Sequence, residues 1–169
     1  PVRCLVPIDT YYGITMRFRE DDSPEGRACL SAATAIGGHN IIKCDLPALE
    51  KVYGWKDDGD VYDTLVVSRL AFADIKDGDL KRFKAGSLPG KLIGSHSLKA
   101  WGYRLGCLKG TYAEDTEDCW AEWSQEMEDY CEQDVQVTYK LWQVLQLALI
   151  HIRRCRPRGQ WRARWLHEH

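Results

Sequence analysis

The stretch that most strongly determines the fold is residues 120–149, WAEWSQEMEDYCEQDVQVTYKLWQVLQLAL. Apolar or weakly polar side chains recur there at steps of three and four: Met127, Cys131, Val135, Thr138, Leu141 and Leu145. Another face carries Glu128, Glu132, Gln136 and Lys140. Side chains three and four residues apart share one face of an α-helix. We therefore predict one long amphipathic helix over residues 120–149.

The composition predicts a single folded domain. A chain of 169 residues with 44% hydrophobic content can build one buried core. The net charge is -2, but residues 151–169 hold six Arg against one Glu, which leaves 17 basic and 24 acidic side chains in residues 1–150. That acidic body lacks the basic footprint that is typical of nucleic-acid binding.

The cysteine pattern favours a reduced, soluble chain. Seven cysteines without a CxxC pair indicate free thiols rather than disulfides or a zinc site. No apolar run approaches the roughly 18 residues of a membrane span, and no signal peptide begins the sequence. We expect an intracellular protein, and the start at Pro1 in strand-like residues suggests that a segment preceded it.

Shorter elements are predicted before the long helix. Residues 2–19 favour two strands joined by a tight turn at Tyr12-Gly13. Helices are predicted at residues 27–35, 46–53, 63–72 and 97–105. The glycine-rich segment 86–94 predicts a loop.

Three features could carry chemistry. Asp45 at a helix start could cap free amides or hold a metal ion. Tyr130 and Asp134 are four residues apart, so they lie within about 6 Å of each other on one helix face. They could be a phenol that orients water beside a carboxylate that binds a cation, or a pair that occurs by chance. In residues 87–106, the side chains that could bind phosphates are Lys91, Lys99, Arg104, Ser95 and Ser97, although a solvated surface loop explains them equally well.

The order of these motifs resembles the DEDDy 3′–5′ exonucleases. Four segments carry the resemblance: GHNIIKCDLPAL (38–49), YDTLVVSRL (62–70), LPGKLIGSHSLKAWGYRLG (88–106) and DYCEQDVQVTYKLW (129–142). They are similar to the proofreading exonuclease domain of family A DNA polymerases of short-tailed bacteriophages. The resemblance implies an α/β, ribonuclease H-like fold with a mixed five-stranded sheet flanked by helices, here without its first, central strand.

The resemblance also implies roles for individual residues. Asp45 and Asp134 are expected to bind metal, with two Mg²⁺ or Mn²⁺ ions in the intact family, and Tyr130 to orient the attacking water. The side chains expected to contact DNA are Asn40, Ser95, His96 and Lys99. Asp63 is expected to have a structural role near a helix start.

Two departures from the family matter. Cys44 stands where the family usually has an aromatic residue, and no Asp-x-Glu motif occurs before Asp45. Asp9 is the nearest carboxylate on the opening strands, and we do not expect it to replace that motif. We therefore expect impaired cleavage. The alternatives are an RNA-trimming nuclease and a non-catalytic domain that binds DNA or a polymerase partner.

The expected context is phage replication in the bacterial cytoplasm. The expected partners are a single-stranded DNA 3′ end and the polymerase domain of the intact chain, with no membrane. Residues 1–149 are expected to form the exonuclease domain fragment. We expect residues 150–169 to be a basic tail outside it, either non-native sequence or a nucleic-acid-binding arm with Trp161 and Trp165 among its arginines.

Overall fold

The opening strands form an interrupted antiparallel hairpin. The computed structural model describes residues 3–56, 58–107 and 123–155. Its first strands are β1 (Cys4–Leu5), β2 (Ile8–Asp9), β3 (Ile14–Thr15) and β4 (Phe18–Arg19), and β1 pairs with β4 while β2 pairs with β3. Pro7 separates β1 from β2, since proline has no N–H for a ladder. The hairpin predicted for residues 2–19 is confirmed for its described part, from residue 3.

Helix α1 and strand β5 correct the prediction for residues 27–35. Helix α1 spans Ser23–Ser31 and begins four residues early, because Pro24 fits the first turn, where no backbone donor is needed. Strand β5 (Ala35–Gly38) follows and pairs in parallel with β6 (Asp60–Asp63). Its sequence, AIGG, has few residues with high strand propensity, so only the partner strand explains it.

The remaining elements are helical. They are α2 (Asp45–Tyr53), α3 (Thr64–Ala71), α4 (Ile75–Lys84), a 3₁₀ turn (Gly90–Leu92), α5 (Leu98–Arg104) and α6 (Gln125–Cys155). The helices predicted at 46–53, 63–72 and 97–105 are confirmed to within one residue at each end. Helix α4 was not predicted. Helix α6 extends six residues beyond the predicted end at Leu149, and the predicted start at residues 120–122 lies outside the described residues.

The core lies where α3 and α5 pack against α6. Its buried centre is Trp101, Val137, Leu141 and Leu145. Leu141 and Leu145 belong to the apolar stripe that the sequence predicts, and Met127 of that stripe is also buried. Glu128, expected on another face, is buried as well. The reason is that arginines of the hairpin lie over it.

The protein is therefore a mixed α/β chain, as the sequence predicts. Its described residues form three two-stranded sheets, so the five-stranded ribonuclease H-like sheet is not confirmed. Within the same residues, no helix combines the length and the apolar character that crossing a membrane requires. Free thiols are confirmed at the described cysteines: Cys4, Cys29, Cys44, Cys107 and Cys131. Residues 156–169 of the tail, with Trp161 and Trp165, lie outside the described part of the chain.

Candidate functional site

A cleft of about 440 Å³ opens beyond the carboxyl ends of β5 and β6. This is the edge at which ligands bind in open α/β sheets. Its lining residues are His39, Asn40, Leu65, Arg69, Gly94, Ser95, His96, Ser97 and Leu98. Three of the four residues expected to contact DNA are thus brought together. The fourth, Lys99, lies in the first turn of α5 and is not among these lining residues.

Asp63 holds two of the segments that line the cleft. This buried carboxylate accepts hydrogen bonds from the backbone amides of Leu65 and Val66, which caps α3. It also accepts from the amides of Asn40, at 3.0 Å, and Ile42, at 3.3 Å. One side chain therefore joins the start of α3 to the loop that follows β5. The structural role expected of Asp63 is confirmed.

The loop after β5 folds tightly over the strand end. A side chain at Gly38 would place its Cβ 2.8 Å from the Cβ of Ile41, so only glycine fits there. The Thr64 hydroxyl donates to the Gly38 carbonyl at 3.1 Å. Because that hydroxyl has one hydrogen, it accepts from Nδ1 of His39, which lies 3.0 Å away. His39 is thereby held at the cleft.

His96, which also lines the cleft, is held in the same way. The buried Ser68 hydroxyl donates to the Leu65 carbonyl at 3.0 Å. It therefore accepts from Nδ1 of His96, 3.1 Å away, and Nε2 of His96 is the ring nitrogen that carries the lone pair. The imidazole also packs near the Trp101 ring, with 6.2 Å between ring centroids.

The surroundings of His96 keep it neutral. Burial lowers its pKa, and the positive charges of Arg104 and Arg69 lower it further. Asp79 opposes this effect only in part. At neutral pH the His96 ring is therefore an uncharged hydrogen-bonding group, and the cationic side chain that lines the cleft is Arg69.

A buried ion pair positions the segment that carries Ser95 and His96. Arg104 donates to both carboxylate oxygens of Asp79, at 2.9 and 2.6 Å, and the Gly94 amide donates to the same carboxylate at 2.9 Å. Burial alone would raise the pKa of Asp79, but the hydrogen bonds from Arg104 and Gly94 leave it below its usual value. The suggestion that Arg104 binds phosphates is therefore wrong, because its side chain is buried against Asp79.

Asp45 is the first residue of α2, directly after the loop that Asp63 holds. The helix N-cap is Cys44, whose side chain makes no capping hydrogen bond but accepts one from Nδ2 of Asn40 at 3.0 Å. Desolvation raises the pKa of Asp45 although the residue as a whole is exposed, and the charge of Asp63 raises it further. Asp45 is thus linked through its loop to the cleft.

Tyr130 and Asp134 lie one turn apart on α6, and both are partly buried. Among the described residues, no three His, Cys, Asp or Glu side chains form a group that could hold a metal ion. The assignment of Asp45 and Asp134 as metal ligands therefore stays a prediction. Asp9 has a turn-capping role, since its Oδ1 accepts from the amides of Tyr11 and Tyr12.

Arg69 is a residue of the cleft that was not predicted from the sequence. Arg69 lies among the apolar positions that predict the helix at residues 63–72, and a single arginine there gives no signal of a site. His39 stands out in the sequence as a polar pair with Asn40, but of the two only Asn40 was expected to contact DNA. Asp79, which supports the cleft, lies in the unpredicted helix α4 and had no sequence signal.

Comparisons with known proteins connect this architecture to phage replication enzymes. No family model matches the chain. The chain is 38% identical to a DNA-directed DNA polymerase of Escherichia phage T7, over an alignment of 162 residues that covers 82% of this chain and 23% of that protein. A DNA-directed DNA polymerase of Enterobacteria phage T3 is 36% identical with the same coverage. The chain thus spans about a quarter of its relatives' length, and it is related to a segment of phage DNA polymerases.

Proposed function

We propose that this chain is the 3′–5′ proofreading exonuclease domain, or a fragment of it, of a phage replicative DNA polymerase. The similarity to a segment of two phage DNA polymerases carries the proposal. The order of the motifs around Asn40, Asp45 and Asp134 supports the nuclease part. A ribonuclease H-like arrangement belongs to the same proposal.

The cleft supports binding of a DNA strand. Arg69 supplies a positive charge for a phosphate, and the side-chain amide of Asn40 and the Ser97 hydroxyl supply hydrogen bonds, while the Ser95 hydroxyl donates to Ser97 at 3.0 Å and positions it. Such a set of groups suits a single-stranded 3′ end, because a basic side chain and neutral donors can bind the sugar-phosphate backbone without contacting base pairs. The proposed substrate is therefore the 3′ terminus of single-stranded DNA.

The proposed reaction is hydrolysis of the terminal phosphodiester. Water forms the new bond to phosphorus, the bond from phosphorus to the 3′ oxygen of the preceding nucleotide breaks, and that oxygen gains a proton. Tyr130 is proposed to orient the water through its hydroxyl, beside Asp134 on the same face of α6. Asp45 and Asp134 would each supply a carboxylate to the two Mg²⁺ or Mn²⁺ ions that the resemblance implies, although no group of three or more His, Cys, Asp or Glu side chains occurs among the described residues.

A cleavage assay on 5′-labelled single-stranded DNA tests the proposal. We expect the 169-residue chain, with Mg²⁺ or Mn²⁺ and an EDTA control, to cleave far more slowly than a version given an N-terminal strand with Asp-x-Glu. In that extended version, Asp134→Ala should abolish cleavage and Tyr130→Phe should reduce it less. Lys140→Ala, an exposed change on the same helix, is the matched control. Equal rates for the two chains, or full activity of Asp134→Ala, would contradict the assignment.

A non-catalytic domain that binds DNA or a polymerase partner is the second candidate. The observations in its favour are that no Asp-x-Glu motif precedes Asp45 and that no group of three or more His, Cys, Asp or Glu side chains occurs among the described residues. Binding of single-stranded DNA without cleavage by the extended chain would support it. Cleavage of RNA in preference to DNA would instead favour an RNA-trimming nuclease.

A further inference from the structure

Two thiols that are distant in sequence lie side by side between the hairpin and the long helix. Cys4 of β1 and Cys131 of α6 have their Sγ atoms 3.4 Å apart, although 127 positions separate them in the chain. Both side chains are partly buried, and both are free thiols. Strand β1 packs directly against α6, so the two sulfurs meet at a contact between elements and not at a chance surface encounter.

Neighbouring contacts hold this pair in place. Arg19 is the cross-strand partner of Cys4, and its Nε donates to Glu128 at 3.2 Å. Glu128 lies three residues before Cys131, so that ion pair joins the two backbones that carry the thiols. On the following turns of α6, the amide of Gln136 donates to the Thr15 hydroxyl at 3.1 Å. The thiols are thus bracketed by polar links on both sides.

We propose that Cys4 and Cys131 are a disulfide-forming pair that a low-molecular-weight disulfide, such as oxidised glutathione, converts to an intramolecular bond. The Cys4 thiolate attacks one glutathione sulfur, the glutathione disulfide breaks, and one glutathione thiolate leaves. Cys131, after losing its proton, attacks the Cys4 sulfur and releases the second glutathione. Two thiols are oxidised and one glutathione disulfide is reduced to two glutathione molecules.

The order of these two steps follows from the surroundings of Cys4. The hydrogen bond with Cys131 lowers the pKa of the Cys4 thiol, against the opposing effects of burial and of the Glu128 charge. The thiolate is the nucleophile in thiol–disulfide exchange, so Cys4 reacts first. The sulfurs then move from 3.4 Å to the length of a disulfide bond, about 2.05 Å. The bond ties the hairpin to the helix that carries Tyr130 and Asp134.

Peptide mapping of the full chain tests the proposal and does not depend on the proposed function. The chain is incubated with oxidised glutathione, alkylated, digested without reduction and analysed by mass spectrometry. We expect a peptide pair joined through Cys4 and Cys131, a mass loss of about 2 Da for the bond, and a Tm that rises by about 10 °C and returns after dithiothreitol. Joined peptides that contain other cysteines, bonds between chains, or an unchanged Tm would overturn it.

Two variants sharpen this experiment. Cys131→Ser keeps a hydrogen-bonding group beside Cys4 but has no thiol to displace glutathione from Cys4, so this variant should accumulate glutathione on Cys4. Cys29→Ser is the matched control, because Cys29 is a partly buried thiol whose contact is Sδ of Met16 at 3.8 Å. It should form the bond as the parent chain does. Far-UV circular dichroism checks that each variant is folded, and glutathione on Cys44 in preference to Cys4 would contradict the order of steps.

Discussion

Two buried carboxylates are neutralised by arginine in two different ways. Asp79 of α4 is fully buried, and its partner Arg104 has a side chain only 2% exposed. Glu128 of α6 is also buried, but the side chains of its partners Arg17 and Arg19 are 42% and 53% exposed. The first pair is thus enclosed by protein on both sides. The second is a buried anion beneath two cations that reach solvent.

This difference determines what each pair contributes. When both ions are buried, removal of one leaves an unpaired charge in the interior, which typically costs about 3–5 kcal/mol. When the cations reach solvent, water and the second arginine replace a lost partner, so we expect the loss of one such cation to cost only about 1 kcal/mol. The enclosed pair also fixes Gly94 at the cleft, whereas the solvent-facing pairs hold the hairpin against α6.

The largest expected effect comes from the enclosed pair. Arg104→Leu leaves Asp79 buried without its cation, so we expect the free energy of unfolding to fall by about 3–5 kcal/mol in urea denaturation at pH 7. Arg82→Leu is the control, because Arg82 lies 3.6 Å from Asp79 but is largely exposed. A loss as small as the control's would show that enclosure does not distinguish the two pairs.

The pH dependence of that loss follows from the sign of the Asp79 shift. The pKa of Asp79 in the folded parent lies below its usual value, so its ionised form stabilises the fold above about pH 4, and this contribution is lost as the pH falls through the folded pKa. In the Arg104→Leu variant the buried Asp79 carboxyl favours its neutral form, and low pH protonates it. The difference in the free energy of unfolding between the parent and the Arg104→Leu variant should therefore become smaller below about pH 4.

A smaller effect is expected at the hairpin. Arg19→Leu removes one cation from Glu128, but Arg17 still donates to that carboxylate. We expect a loss of about 1 kcal/mol in the same urea measurement. Arg3→Leu, which breaks the exposed pair of Arg3 with Glu20, is the control and should cost less. A loss equal to that of Arg104→Leu would remove the contrast between the two regions.

The third test asks whether the two regions also differ in DNA binding. Arg69→Ala removes the cationic side chain that lines the cleft, so we expect the Kd for a short single-stranded DNA to rise about threefold at low salt and the salt dependence to weaken by about one phosphate contact. Arg17→Ala removes the same charge from the hairpin side and should leave binding unchanged. Fluorescence anisotropy measures both, and equal losses would place the strand elsewhere.

Local patterns in the sequence predicted much of the fold. The period of α6 and the glycine turn of the hairpin each depend on residues within a few positions of one another, so they could be predicted directly. Strand β5 could not, because its four residues become a strand by pairing with β6. The burial of Glu128 could not be predicted either, since the arginines above it are more than a hundred residues away in the chain.

The same distinction between local and distant contacts applies to the candidate site. The sequence by itself determined which residues are candidates for chemistry, by their spacing and by the family resemblance: Asn40, Asp45, Tyr130 and Asp134. Only the tertiary structure decided that Arg69 and two histidines face one cleft, that Arg104 serves Asp79 instead of a phosphate, and that Cys4 meets Cys131. The reason is physical: helical periods and turns are fixed by neighbours along the chain, whereas burial, ion pairing and thiol contact depend on which distant elements pack together.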